Sequence, residues 1–173
     1  RSIQGKSSSE VISKILYPAD HSLAGKELRL RQEYFFTSAS LQDLTQRHVA
    51  EFGSLETLPQ HAAVQLNDTH PAIAIAELMR LLVDEHDFSW DKAWTVTKGT
   101  LNYTNHTLLP EALETWPVEL LGRLLPRHLQ IIYLINWLHL QELGKRGLSD
   151  PHFVSKVSLI QENGEKRVRM AHL

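Results

Sequence analysis

Apolar residues recur along this chain with the spacing of helix faces, interrupted by a few short runs. Val11, Ile12, Ile15 and Leu16 fall on one face of a short helix, and Ser7 and Glu10 ahead of them have the spacing of a capping box. The run Tyr17-Pro18-Ala19-Asp20-His21-Ser22 breaks that helix, and Gly25 is expected to close the loop. From about Lys26 to Phe52 the period is helical again. Leu30, Tyr34, Ala39, Leu41 and Leu44 form the expected buried stripe, and Gly53 stands where a left-handed terminating residue belongs. Residues 53–61 read as an exposed connection. Ala62-Ala63-Val64-Gln65-Leu66 is a short apolar run that predicts a buried strand. It ends in Asn67-Asp68-Thr69-His70-Pro71, with Pro71 suited to a first helical position.

Ile75, Leu78, Met79, Leu82 and Val83 recur at helical intervals and predict the next helix. Ser89 is placed to cap another, carrying Trp90, Ala93, Trp94 and Thr97. Leu101-Asn102-Tyr103-Thr104 reads as a second strand, followed by Asn105-His106-Thr107. Pro110 opens a turn through Thr115, and Pro117 and Pro126 stand where helices start. Leu129, Ile132, Tyr133, Asn136, Trp137 and Leu140 predict a long amphipathic helix, and Asp150-Pro151 begins a short one. Asn163-Gly164 lies between Ser158–Gln161 and Lys166–Met170, a hairpin pattern. The fold class is therefore α/β and helix-rich, with few strands plus a C-terminal hairpin.

The strand–helices–strand unit predicts a right-handed parallel crossover. Ligands of such sheets bind beyond the carboxyl ends of the strands, where both polar clusters fall. Asn67-Asp68-Thr69-His70 and Asn105-His106-Thr107 would then meet in one crevice. Dense amide, hydroxyl and carboxylate groups suit a polyhydroxylated ligand. Ordinary turn and cap chemistry accounts for the same residues equally well.

Composition narrows the classes. The 173 residues are 42% hydrophobic and 22% charged, a globular mix, with a net charge of -2 that offers no basic face for nucleic acid. No apolar run reaches membrane-spanning length, and Arg1–Glu10 is too polar for a secretory signal. Cysteine is absent, which excludes disulfides and thiolate metal sites. Both ends are expected to be cut points within a longer chain. Ten histidines at irregular spacing make no metal motif, and no glycine-rich nucleotide loop is present. Three glycosylation sequons, at Asn67, Asn102 and Asn105, read as coincidence. Helical spacing makes core packing the expected role of Trp90, Trp94, Trp116 and Trp137. Arg29, Arg31 and Arg47 read as a solvated helix face rather than an anion site.

Several blocks carry a resemblance. Leu16-Tyr-Pro18, Gly25-Lys-Glu-Leu-Arg-Leu-Arg-Gln-Glu-Tyr-Phe35, Gln65-Leu-Asn-Asp-Thr-His-Pro71, Tyr103-Thr-Asn-His-Thr107, Glu111-Ala-Leu-Glu114-Thr-Trp-Pro117, Leu125-Pro-Arg-His-Leu-Gln-Ile-Ile-Tyr133 and Arg169-Met-Ala-His-Leu173 together resemble the alpha-glucan phosphorylases. The resemblance runs from about Val11 to Leu173 in one register. It implies that residues 1–173 are a fragment of the Rossmann-like N-terminal domain of a two-domain glycosyltransferase fold, with no complete second domain.

The activity implied is phosphorolysis of terminal alpha-1,4-glucosyl bonds of glycogen or maltodextrin, giving glucose 1-phosphate. The partners implied are an alpha-1,4-glucan and phosphate, in a cytoplasmic, allosteric enzyme that is a homodimer at full length. The cofactor implied is pyridoxal phosphate in the full-length parent, with its lysine motif outside these residues, so the fragment alone would bind none and be inactive. His106 resembles the residue that receives the glucose 6-hydroxyl. Asp68 and His70 resemble polar residues beside the anomeric carbon, and Ala112 one packed against that pocket. Asp20 resembles the aspartate of a mobile gate loop. Where animal members have Asn-Phe-Phe after that aspartate, this chain has His21-Ser22-Leu23, and where they have paired arginines for AMP it has Gln46-Arg47. These departures resemble bacterial members and predict loss of AMP activation. The alternatives are a catalytically inactive carbohydrate-binding domain of the same fold and a sugar-nucleotide glycosyltransferase.

Overall fold

The computed structural model describes residues 10–14, 18 and 21–173. Ser7 of the expected capping box and Asp20 of the expected gate loop lie outside them. Residues 10–14 are helical.

Helix α1 is Leu23–Phe52. Ser22 caps it in an extended conformation, its Oγ accepting from the Gly25 N–H at 3.1 Å. The helix thus starts ahead of Lys26, and Gly25 sits in its first turn rather than closing a loop. Gly53 ends it at φ 79°, donating its N–H to the Val49 carbonyl at 2.9 Å. The buried row is Leu30, Gln32, Ser38, Leu41, Thr45 and His48. Ala39 is exposed, because it stands one residue around the helix from Ser38 and off that row. Four of these six residues are polar and each finds a partner: Gln32 Nε2 donates to the Ile12 carbonyl, and Thr45 Oγ1 to the Leu41 carbonyl. His48 Nε2 donates toward the Ser54 carbonyl and Thr57 Oγ1.

Residues 53–61 are not an exposed connection. A 3-10 turn, Leu55–Thr57, leads into helix α2, Leu58–His61, and Leu55 and Leu58 are buried three residues apart. Strand β1, Val64–Asn67, follows. Helix α3, Ala74–Arg80, a π-turn over Leu81–Glu85 and helix α4, Trp90–Thr100, lead to β2, Leu101–Thr104. The two strands pair in parallel, Val64 opposite Leu101 and Asn67 opposite Thr104. Pro71 lies in a tight turn, with Ala72 bonded to Thr69 and Ala74 to Pro71, so α3 begins at Ala74 instead. Ser89 holds the cap position of α4 in an extended conformation without a capping side-chain bond. A Cβ at Gly99 would lie 2.8 Å from Pro59 Cβ, so the contact of α4 with α2 needs a glycine there.

Residues 110–117 do more than turn. A 3-10 turn, Pro110–Ala112, runs into strand β3, Thr115–Pro117, which buries Trp116 and pairs it with Val168. Helices α5, Val118–Leu124, α6, Pro126–Lys145, and α7, Pro151–Val157, follow. Asp150 caps α7 by accepting from the Phe153 N–H at 2.8 Å. The hairpin strands are β4, Ile160–Gln161, and β5, Arg167–Arg169, joined by a loop in which Gly164 takes φ 90°. The antiparallel sheet order is β3-β5-β4.

The buried face of α6 is His128, Ile131, Ile132, Ile135 and Asn136. Tyr133 is 40% and Trp137 56% exposed, so Trp137 is not a core residue, unlike Trp116 at 4%. The core joins α1, α3 and α6 around one buried carboxylate. Glu77 of α3 is fully buried and accepts from Ser38 Oγ at 2.7 Å, from His128 Nε2 at 2.5 Å and from Arg80 at 2.8 and 3.0 Å. Burial pushes its pKa up, but the bonds from His128, Arg80 and Ser38 outweigh it and hold it at about 2. Among the described residues no helix is long and apolar enough to cross a membrane.

Candidate functional site

Parallel pairing of β1 with β2 brings the two polar clusters to the same sheet end. Asp68 continues the ladder past the last strand pair, its N–H donating to the Thr104 carbonyl at 2.9 Å. It does so at φ 62°, a left-handed conformation that aspartate tolerates better than most residues. That turn aims its carboxylate across the strands, where Oδ1 accepts from the His106 backbone N–H at 3.0 Å. The His106 ring reaches back, Nε2 lying 3.4 Å from Asn67 Oδ1. Asn105 folds over Thr107, donating from Nδ2 to its carbonyl at 2.8 Å and accepting its N–H at 3.1 Å. The turn chemistry and the convergence thus coexist in the same residues.

A cleft of about 560 Å³ opens beside this end of the sheet. Asp68, His70 and Ala112 line it together, with Lys26 and Arg29 of α1 and with Glu114, Trp116 and Arg167. His106 is not in its lining; it belongs to the site through Asp68, and its own side chain is exposed. Asp20 lies outside the described residues. Tyr103 stands near Asp68, and burial together with that carboxylate raises its phenol pKa.

The wall between Arg29 and Glu114 carries charge. Arg29 Nε lies 3.5 Å from Glu33 Oε1 and 3.4 Å from Glu114 Oε2. Trp116 Nε1 donates to Glu114 Oε1 at 3.1 Å, and the Glu114 N–H donates to Thr69 Oγ1 at 3.3 Å. Burial first, then the charge and hydrogen bond of Glu114, push Glu33 up to about 10 against the pull of Arg29. Arg167 is oriented by Thr115, donating to its Oγ1 at 2.8 Å and its carbonyl at 2.9 Å, and pairs with Glu165.

Reading Arg29 as part of a solvated face therefore fails. Its side chain is only 22% exposed and lies against two carboxyl groups. Arg31 and Arg47 do form surface pairs, with Glu27 and Asp43. Lys26, Arg29, Glu114 and Arg167 are the charged cleft residues that pattern reading missed. The signal for Arg29 was present in Glu33, one helical turn on. Glu114 and Arg167 reach the cleft only through a strand, β3, that the sequence did not reveal.

Comparison with known proteins gives a consistent picture. The family model for carbohydrate phosphorylase matches residues 1–173. The chain is 54% identical over 171 residues to a glycogen phosphorylase of Synechocystis, covering 99% of this chain and 20% of that protein. It is 50% identical over 171 residues to a glycogen phosphorylase of Haemophilus influenzae, covering 99% and 21%. To the human liver form of glycogen phosphorylase it is 52% identical over 172 residues, covering 95% and 20%. The chain spans about a fifth of the length of these curated relatives. With its helix-rich α/β fold and a polar cleft at the end of a parallel strand pair, it belongs to the carbohydrate phosphorylase family.

Proposed function

We propose that the full-length enzyme phosphorolyses terminal alpha-1,4-glucosyl bonds of a glucan to glucose 1-phosphate, and that this segment supplies the sugar-binding wall of its active site. The observation that carries the reading is the convergence of Asp68 and His70 with Ala112 in one cleft beyond the parallel strands. Two carboxyl groups, an imidazole and three cationic side chains in a cleft of this size suit the directed hydroxyls of a sugar. Asp68 and His70 orient the glucosyl unit beside its anomeric carbon, and Ala112 leaves room for it. His106 receives the 6-hydroxyl, and Asp68 holds its backbone in place. Asp20, outside the described residues, keeps the gate-loop role that the family resemblance implies. The enzyme acts in the cytoplasm as a homodimer, under allosteric control that does not use AMP.

Pyridoxal phosphate is the cofactor that the family implies. Its aldehyde needs a lysine amine in a protected pocket, and this chain does not offer one among the described residues. Every described lysine but Lys26 is exposed, and Lys26 lines the sugar cleft. The cofactor is therefore assigned to the remainder of the full-length enzyme.

The test is release of glucose 1-phosphate by the purified full-length enzyme from an alpha-1,4-glucan and phosphate. Release that depends on both substrates supports the reading. No release from any alpha-1,4-glucan, with release from another glycoside, would overturn it. Residues 1–173 alone, given cofactor, glycogen and phosphate, are expected to release none.

A further inference from the structure

We infer that Glu33 and Glu114 share a single proton, and that this monoanionic carboxyl pair holds Arg29 in the wall of the cleft, making Glu33 a positioning residue. One guanidinium faces two carboxyl groups, at 3.5 Å from Glu33 Oε1 and 3.4 Å from Glu114 Oε2. Both carboxyl side chains are only 11% exposed. Two ionised carboxylates there would leave one negative charge buried without a counter-charge, whereas one proton makes the trio neutral.

The partners decide which oxygen keeps the proton. Glu114 is the better solvated anion, because Trp116 Nε1 donates to its Oε1. Among the described residues Glu33 Oε1 is buried without a hydrogen-bond partner, a poor site for a full charge. The upward push on Glu33 from burial and from Glu114 agrees with this assignment. Among the described residues, the other charged or titratable groups that line cavities with the pair are Lys26 on α1, Asp68 and His70 after β1, Arg167 and Arg169 on β5, and His172 beyond it; Arg169 donates to the Ser155 and Ser158 carbonyls. Arg167 is already paired with Glu165.

Arg29 lines the sugar cleft and also a neighbouring cavity of about 190 Å³, which it shares with Glu33 and His70. A neutral trio keeps the guanidinium seated between the two spaces. The consequence for glucan binding rests on the proposed function; the shared proton does not.

The experiment uses the full-length enzyme. Infrared spectra in heavy water at neutral pH should contain a protonated carboxylic acid band that disappears in Glu33→Gln and in Glu114→Gln, and in the wild type when the pH is raised well into the alkaline range. Absence of that band, or a band unchanged by both substitutions, overturns the inference; the wild-type titration decides the matter even where a variant fails to fold. In the kinetic arm, Glu33→Leu leaves Glu114 without a donor and should raise KM for glucan about tenfold, and Glu33→Gln, which restores a neutral donor, should recover most of that loss. The double variant Glu33→Gln/Glu114→Gln removes the anion and should raise KM for glucan by about tenfold or more. Equal loss in Glu33→Gln and the double variant overturns the positioning role. A band that behaves as expected in an enzyme that phosphorolyses no glucan would leave the shared proton standing and sink the proposed function.

Discussion

The backbone N–H of His106 donates to Asp68 Oδ1 at 3.0 Å, joining two strand ends that lie 38 residues apart in the chain. This bond fixes the separation of the two polar clusters. Asp68 makes it from a left-handed backbone conformation, which aspartate and asparagine accept more readily than alanine.

Asp68→Asn is expected to leave thermal stability near that of the wild type, since the amide oxygen still accepts and the backbone conformation is tolerated. Asp68→Ala loses the bond and meets backbone strain, and should cost about 1–3 kcal/mol. The comparison is thermal unfolding of both variants in the full-length enzyme. Equal transition temperatures for the two would show that the tie to His106 contributes nothing.

Glu77 and Glu33 give pH dependences of opposite sign. Glu77 is held at about 2, below the ordinary value of 4.5. Above 4.5 its contribution to folding is fully present, and it is lost as pH falls through that window toward 2, because the unfolded chain takes up the proton first. Glu33 is raised to about 10 from the same ordinary value. Its stability is full below 4.5 and declines as pH rises toward 10, because the unfolded chain releases the proton first. Urea midpoints across pH should fall at both ends in the wild type. Glu77→Gln should flatten the acid limb and Glu33→Gln the alkaline one. Glu77→Ala, which strands His128 and Arg80 in the core, should cost about 3–5 kcal/mol. A Glu77→Gln enzyme with an unchanged acid limb would show that this network does not control acid stability.

Most of the fold was legible where side-chain burial follows a simple period. The parallel pair was readable because Val64–Asn67 and Leu101–Thr104 are short runs bounded by polar turns. The face of α1 was harder, because its buried row contains Gln32, Ser38, Thr45 and His48. Those residues are buried through specific partners, and hydropathy cannot anticipate a bond such as Ser38 to Glu77 across 39 residues. Strand β3 was hidden because its three residues gain strand character only from pairing with Arg167–Arg169. The candidate site followed the same rule. Asp68, His70 and Ala112 share the cleft, while Arg29 and Glu114 acquire their place from tertiary contacts that no local pattern encodes.

His106→Ala in the full-length enzyme is expected to cost about 1–3 kcal/mol of transition-state stabilisation, through loss of a hydrogen bond to the sugar 6-hydroxyl. Among the described residues its ring bonds to Asn67 Oδ1 at 3.4 Å, a long contact that a sugar hydroxyl can replace. The loss should shrink with a substrate analogue that lacks the 6-hydroxyl. An equal loss with both substrates would refute this role.

AMP is expected neither to activate the full-length enzyme nor to bind it tightly. A phosphate is held best by several guanidinium groups with fixed geometry. On α1 the two adjacent positions are Gln46, a neutral amide, and Arg47, whose Nη2 already lies 2.7 Å from Asp43 Oδ2. Arg47 is 74% exposed, so salt and water screen whatever attraction remains after that pairing. The measurement is initial rate against AMP at saturating glucan and limiting phosphate. A flat response is expected. A saturable rise that vanishes in Arg47→Ala would mean that one arginine is enough to seat the phosphate despite Asp43. A rise that persists in Arg47→Ala would place the activator at residues outside this segment and leave the account of α1 intact.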